Sequence, residues 1–258
     1  MRIHWNLSLI FLIALSVLSL GSKTALADPP TAPKVSTFAP IDDLVAQINY
    51  FKEQTEKGVA NQGEFDDGAQ SKLKKDANTT AVLALALALH DGDNGLKTSA
   101  GAIVAAAQKV AESTKELDHA KSKAAVEELS KAVAGANKSD KKLTWNEKVG
   151  DLPPLMKAVP LINNRLKKGV AKMDPTSAGN AATLAIIAQA TMADLSAVKK
   201  PEDAAKWYEF SAIMRDAAGD VNQGLHANDK DKVTSAMKRL GQSCEDCHAV
   251  FRKNEAAK

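Results

Sequence analysis

Residues 81–90, AVLALALALH, contain no Asp, Glu, Lys or Arg and alternate alanine with leucine over most of their length. Strict alternation is typical of a strand, although a short apolar run also fits a buried helix. Alanine and leucine are strong helix formers, and Val82 is the one β-branched residue of the run, so we predict a helix. The chain as a whole is rich in alanine and leucine and has only 4% aromatic residues, which extends this prediction to an all-α fold.

Apolar residues recur at helical spacing through most of the chain and predict eight helices. The expected ranges are about 40–60, 67–91, 96–116 and 119–135 in the first half, and about 153–172, 177–197, 202–226 and 229–255 in the second. Turn-forming residues at 135–154 interrupt this pattern and include a linker at 139–152. Since each flanking segment has about 100 residues, enough for four helices, we expect two tandem antiparallel four-helix bundles, at 40–138 and 153–256.

The two halves are similar to each other at a spacing of 111 residues. The sequence KGVA at 57–60 recurs at 168–171, and apolar positions near the end of each half also align. Compensating gaps are needed between these two ends. The similarity favours a duplicated helical unit.

The first 27 residues have the basic, apolar and small-residue zones of a secretory signal peptide. The apolar zone at 7–20 has about 14 residues, fewer than the roughly 20 that a membrane-spanning helix needs. We therefore expect cleavage after Ala27, export to the periplasm and no integral membrane anchor. The proline-rich segment 28–39, DPPTAPKVSTFA, predicts a flexible leader.

Loss of the signal peptide would remove two basic side chains and no acidic ones, leaving a nearly neutral mature protein. Lysines alternate with acidic residues along the chain, whereas a nucleic-acid-binding domain concentrates its basic residues on one surface. The charge pattern therefore disfavours nucleic acid as a partner.

The sequence SCEDCHAVFR at 243–252 contains the two cysteines of the chain, three positions apart and followed directly by a histidine. CxxCH is the signature of covalent haem attachment in c-type cytochromes. On a helix, the two thiols share a face that reaches two vinyl groups of a porphyrin, and the histidine turns a neutral imidazole toward the iron. The sequence predicts one covalent haem c at Cys244 and Cys247, with His248 as the proximal ligand.

Other uses of the two cysteines fit less well. A thioredoxin-like redox site requires a strand-to-helix turn, which an all-α chain lacks. A structural zinc site requires four ligands, and the chain has no second pair of cysteine and histidine residues at ligand spacing. A surface disulfide would leave the adjacent histidine unexplained.

With this motif, the second half of the chain, about 150–254, resembles cytochrome c′, the class II c-type cytochromes. The resemblance is carried by residues 231–244 and by CEDCHAVFR at 244–252, with support from LINN at 161–164 and from Trp207. It implies an antiparallel four-helix bundle with the haem on its last helix. A homodimer is compatible with it.

The resemblance also implies roles on the first helix of this bundle. The family places an apolar residue over the distal face of the haem, which leaves a five-coordinate iron that binds small gases, and Val159 takes that position here. Low-spin relatives use a methionine of the same helix, for which Met156 is the candidate sixth ligand. Arg252 matches the family's basic residue near the proximal side, whereas Leu155 replaces its arginine at a haem propionate.

The first half has no counterpart of the haem motif. The positions 111 residues before its two cysteines and its histidine are Val133, Ala136 and Asn137. We therefore expect a haemless bundle that serves packing or the docking of a partner.

The remaining histidines and methionines of the helical segments have simpler interpretations. His90, His119 and His226 fall at predicted helix ends, where we expect structural roles, and the helix dipole favours a cation at His226. Methionines in apolar stretches usually fill gaps in the core. Met192 and Met214 are weaker candidates for a sixth ligand than Met156.

Three functions are consistent with the sequence. The first is electron transfer to and from redox partner proteins, by one-electron changes at the haem iron. The second is the binding of nitric oxide or carbon monoxide at a vacant axial position. The third is a role as an interaction subunit whose haemless half docks onto a larger redox complex. We expect no catalytic residues, because no nucleophile and base pair or acidic dyad is evident.

Overall fold

The computed structural model describes residues 27–252, and over this range it contains helices and no strands. The all-α prediction is therefore confirmed. Eight long helices account for most of the fold: α1 Ile41–Gly58, α2 Gln70–Leu89, α3 Ala100–Ser113, α4 His119–Val133, α5 Leu152–Val170, α6 Ala178–Thr191, α7 Ala204–His226 and α8 Lys230–Phe251.

Local sequence signals explain where several of these helices begin. Asp118 precedes α4, and its side chain accepts a hydrogen bond from the Lys121 amide at 3.0 Å. Asp229 precedes α8 and caps it in the same way, with the Lys232 amide at 2.9 Å. Each carboxylate satisfies an amide that would otherwise lack a partner in the first helical turn.

The helices pack mainly onto their neighbours in the chain. In the first half α1, α2, α3 and α4 contact one another in sequence, and α4 also packs against α1. In the second half α5, α6, α7 and α8 also contact one another in sequence, but α5 and α8 do not pack closely together. The helices of the first group therefore form a closed ring of contacts, whereas the second group lacks the contact between α5 and α8 that would close its ring.

The most buried helices, α2 and α6, join the two halves. All residues from Asp76 to Leu87 in α2 and from Ala181 to Thr191 in α6 are buried. These helices contact each other, and α2 also contacts α5 while α1 contacts α6. One cluster of buried apolar side chains therefore runs through both halves. The run at 81–90 lies within this cluster, so its assignment to a buried helix is confirmed.

The segment before α1 is packed onto the helices at its C-terminal end. Val35, Phe38 and Ala39 are buried, and the backbone of Phe38 lies against Gly219 of α7, where an added Cβ would come within 2.9 Å of the Phe38 side chain. The expectation of a flexible leader over 28–39 is therefore wrong for residues 35–39. These residues pack because Val35, Phe38 and Ala39 are apolar. The prediction of a flexible segment rested on the prolines and did not consider these side chains.

The expected signal peptide falls almost entirely on residues 1–26, which lie outside the described residues. Within residues 27–252, no helix has the length and apolar content needed to cross a membrane.

The continuous core makes a prediction about unfolding. Leu83 in α2 and Leu184 in α6 are both fully buried, and truncation to alanine should lower the free energy of unfolding by about 2–5 kcal/mol at each site. Because the core is shared, either substitution should shift one common transition, measured by urea denaturation with circular dichroism.

The matched control is Leu161→Ala, since Leu161 on α5 is 45% exposed and its truncation should have little effect. Two separate transitions, of which each substitution shifted only one, would contradict a shared core.

Candidate functional site

The CxxCH motif lies in the last two turns of α8. Cys244 and Cys247 are free thiols, both half-buried. They continue the inward face of the helix that Val233 and Leu240 bury. His248 lies at the edge of this face and is exposed. The helix therefore presents both sulfur atoms on one side, with the imidazole next to them.

The part of α5 that faces this motif is an edge formed by Met156, Val159 and Asn163, which are spaced by three and four residues and are all partly buried. Met156 packs in the same apolar cluster as Cys247. Lys167, one turn further along the helix, acts by its charge on the thiol of Cys244. This edge of α5 therefore faces the cysteine-bearing edge of α8.

The backbones of α5 and α8 lie further apart than those of the other neighbouring helices in the second group. The corresponding pair in the first group, α1 and α4, is in closer contact, although a pocket lined by Glu56, Val59, Val126 and Ser130 lies between them. Gly241, one turn before Cys244, has no atom within 4 Å of an added Cβ. We call the space between these two edges the α5–α8 gap.

One end of the α5–α8 gap is closed by a small apolar cluster. It consists of Leu152, Met192, Ala204, Trp207 and Tyr208, with Met156, Cys247 and Phe251 packed against it. The ring of Trp207 meets that of Phe251 edge to face at 5.1 Å, and its Nε1–H donates to the Thr191 carbonyl at 3.0 Å. This arrangement gives the gap a water-excluding wall beside Cys247.

The position of α5 is fixed by contacts at its N-terminus. The Leu152 amide donates to the Asp194 carboxylate at 3.2 Å, and the Lys148 ammonium lies 2.9 Å from the same carboxylate. Burial raises the pKa of Asp194, but hydrogen bonds from Lys148 and Ser196 outweigh it and hold the pKa below its ordinary value. The charged carboxylate thus anchors the helix turn that carries Met156.

The position of α8 is fixed by α7. Gly224 of α7 allows close approach, since an added Cβ would lie 2.7 Å from the Val233 side chain. On the outer side, the Arg239 guanidinium lies 2.6 Å from the Asp220 carboxylate. The α7-facing side of α8 is therefore tightly packed, whereas the two cysteines are only half-buried.

Electrostatics favours uncharged groups at the motif. Burial raises the pKa of the Cys244 thiol, and burial together with the nearby Cys244 raises the pKa of Cys247 to about 11. Partial burial, and secondarily the charge of Arg252, lower the pKa of His248 below its ordinary value. At neutral pH the imidazole therefore has a free lone pair, as a metal ligand requires.

The residues expected from the sequence lie as follows. Cys244, Cys247, Met156 and Val159 border the α5–α8 gap, and His248 lies at its edge. Arg252 is the residue after α8, where it is exposed and close enough to act on His248 by its charge. Leu152, Tyr208 and Asn163 were not predicted as site residues, although Leu152 precedes Met156 by four residues on the same helix, a spacing that could have indicated it.

The other described histidines are bonded elsewhere. The Nε2 atoms of His90 and His119 lie 3.0 Å and 2.9 Å from the carbonyls of Ala39 and Val59. His226 is the last residue of α7, and its Nε2 atom lies 2.8 Å from the Asp43 carboxylate of α1. It therefore links α7 to α1. Within residues 27–252, no three His, Cys, Asp or Glu side chains are grouped so as to hold a metal ion.

Comparisons of the chain with protein-family models, with curated proteins and with solved structures found no match.

The raised thiol pKa values predict slow alkylation of the haem-free protein. Because only the thiolate reacts, iodoacetamide should modify Cys247 slowly at pH 8, and its rate should keep rising up to about pH 11. Mass spectrometry of the digested protein would give the rate at each cysteine. In urea both thiols should react faster at pH 8, and equal rates in the folded and unfolded protein would contradict the burial of Cys247.

Proposed function

We propose that this chain is an exported c-type cytochrome that carries one haem c in the α5–α8 gap and acts in electron transfer. The observation that carries the proposal is the coincidence of two features. The CxxCH motif stands on α8, which has few close backbone contacts with α5, while the equivalent helices of the first half, α1 and α4, approach each other more closely and have no cysteine or histidine at the matching positions. A porphyrin needs such a space between two helices.

The residues at the gap fit a covalent haem. Each thiol, neutral at physiological pH, would add its sulfur and its hydrogen across one vinyl group to form a thioether. The haem supplies a one-electron change at iron. His248 offers a neutral imidazole from α8, and Arg252 lies beside it. Met156 and Trp207 of the apolar cluster, together with Val159, would limit the access of water to a haem held here, which would favour the reduced, less charged iron.

The finer architecture belongs to the same proposal. We interpret α1–α4 as a haemless four-helix bundle and α5–α8 as a bundle of the cytochrome c′ type. In each half, every helix contacts the next one along the chain, and in the first half the first and last helices also contact each other. These contacts support a division into two four-helix units. Export to the periplasm, redox partner proteins and the docking role of the haemless half remain parts of the proposal that rest on the sequence.

A second candidate function is the binding of nitric oxide or carbon monoxide. It is favoured by Val159, which borders the gap from α5 and has no atom that ligates iron. Met156 is the competing residue, since it is on the same edge of α5 and packs against the same apolar cluster as Cys247.

Covalent attachment is tested by producing the full chain in cells competent in cytochrome maturation. The mature protein should exceed its polypeptide mass by one haem, which should stay with the protein in acidic acetone. The double variant Cys244→Ala, Cys247→Ala should lose this haem completely.

The matched control is Ser243→Ala, which alters a buried neighbour of the motif and should keep the haem. A colourless wild-type protein with the mass of its amino acids alone would exclude the proposed function.

The optical spectrum of the reduced protein separates the two candidate functions. A low-spin spectrum that carbon monoxide leaves unchanged would exclude gas binding and favour a protein ligand such as Met156. In that case Met156→Leu should convert the spectrum to high spin. A high-spin spectrum that shifts with carbon monoxide would favour an open axial position beside Val159.

A further inference from the structure

Among the eight long helices of the structure, α5 is the one whose charged side chains are all basic. It contains four of them and no aspartate or glutamate: Lys157, Arg165, Lys167 and Lys168. The whole chain is nearly balanced, with 34 basic and 31 acidic side chains, so this helix departs from the charge pattern of the protein. The surface that α5 exposes therefore has a local excess of positive charge.

The exposed face of α5 has an apolar centre between two lysines. Leu161 is 45% exposed, and Pro160 beside it is exposed as well. Lys157 lies one turn before Leu161 and Lys168 two turns after it, and this spacing places all three on one stripe of the helix. Within the described part of the chain, neither lysine forms an ion pair. Their charges are therefore available to a partner.

This face borders the α5–α8 gap. Lys167 is exposed next to the stripe, and its charge acts on the thiol of Cys244 across the gap. On the other border, Arg165 acts by its charge on the buried Asp76 carboxylate of α2, which is already paired with Lys72 at 2.7 Å. Because a second cation neutralises this carboxylate, the positive excess of the face remains.

We propose that the outer face of α5, with Leu161 at its centre and Lys157 and Lys168 around it, docks an acidic redox protein that exchanges one electron with the haem. This inference rests on the haem proposed above. The lysines steer an acidic surface toward α5, and the seated partner covers Leu161. Its redox centre then lies beside the α5–α8 gap. One electron passes between that centre and the haem iron, and no atom or proton is transferred.

An acidic protein fits this face better than an anionic membrane or a second copy of the chain. Helices that bind membranes bury a broad apolar side among the lipids, whereas Leu161 is the one large apolar side chain that α5 exposes. Protein interfaces combine an apolar centre with a polar rim, as this face does. In a symmetric dimer through this face, α5 would meet its own lysines, and the like charges would repel.

The test uses plant-type ferredoxin, a small acidic protein with one iron–sulfur cluster, as the probe. Reduced ferredoxin is mixed with the full-length ferric protein, and the reduction of the haem is followed by stopped-flow absorbance. The double variant Lys157→Glu, Lys168→Glu should lower the second-order rate constant by about tenfold at low ionic strength. Leu161→Ala should lower it by about threefold, because less apolar surface is covered. The wild-type rate should fall as salt is added.

The matched control is Lys123→Glu, Lys131→Glu, which makes the same change of net charge on α4 of the first half, where both lysines are exposed. It should leave the rate nearly unchanged. An equal loss in both double variants would show that net charge alone attracts ferredoxin, and it would overturn docking on α5. Circular dichroism checks that the variants fold, and Lys157→Gln, Lys168→Gln replaces a charge reversal that does not.

The haem content by mass separates this inference from the proposed function. A protein without haem would overturn both. A protein with haem that ferredoxin reduces equally fast in wild type and in Lys157→Glu, Lys168→Glu would overturn the docking alone. If the same variant lost binding to phosphatidylglycerol vesicles but kept its rate with ferredoxin, the face would belong to a membrane, and the inference would be wrong.

Discussion

Direct packing of α2 against α6 joins the two halves of the chain, and the remaining helices are arranged around this pair. Both helices are rich in alanine, and α2 is buried from Asp76 to Leu87 and α6 from Ala181 to Thr191, so these stretches pack against neighbours on every side. α2 packs against α1, α3 and α5, while α6 packs against α5 and α7. Two sides of α5 are therefore occupied by α2 and α6, and the edge with Met156, Val159 and Asn163 is left for α8. The α5–α8 gap is a consequence of the core.

The same arrangement leaves the cysteine-bearing face of α8 without a helix packed closely against it. α8 packs closely only against α7, through the Gly224–Val233 approach and the Asp220 ion pairs. Its opposite side keeps both thiols partly exposed to the gap. α4, by contrast, packs against both α3 and α1. The two halves therefore differ in the contact between their first and last helices as well as in the presence of the CxxCH motif.

Much of this could be predicted from the sequence because it follows from local signals. Helical spacing predicted all eight helices with small errors at their ends, the largest being in α6, which ends at Thr191 and not near 197, and the CxxCH spacing indicated the face of α8. The packing of residues 35–39 onto the helices was not predicted. Proline content indicates local stiffness, but it does not show whether Val35 and Phe38 are buried against another part of the chain. The shared core was missed as well, since an apolar helix does not reveal which neighbours cover it.

The contact between Phe38 and Gly219 has a consequence for biogenesis. Residues near the beginning of the chain leave the ribosome first, yet their binding surface on α7 is made almost last. Contacts between residues so far apart in sequence form slowly, because a long loop must close before they are gained. The earliest part of the polypeptide would thus wait, with its apolar side chains uncovered, for most of synthesis to finish.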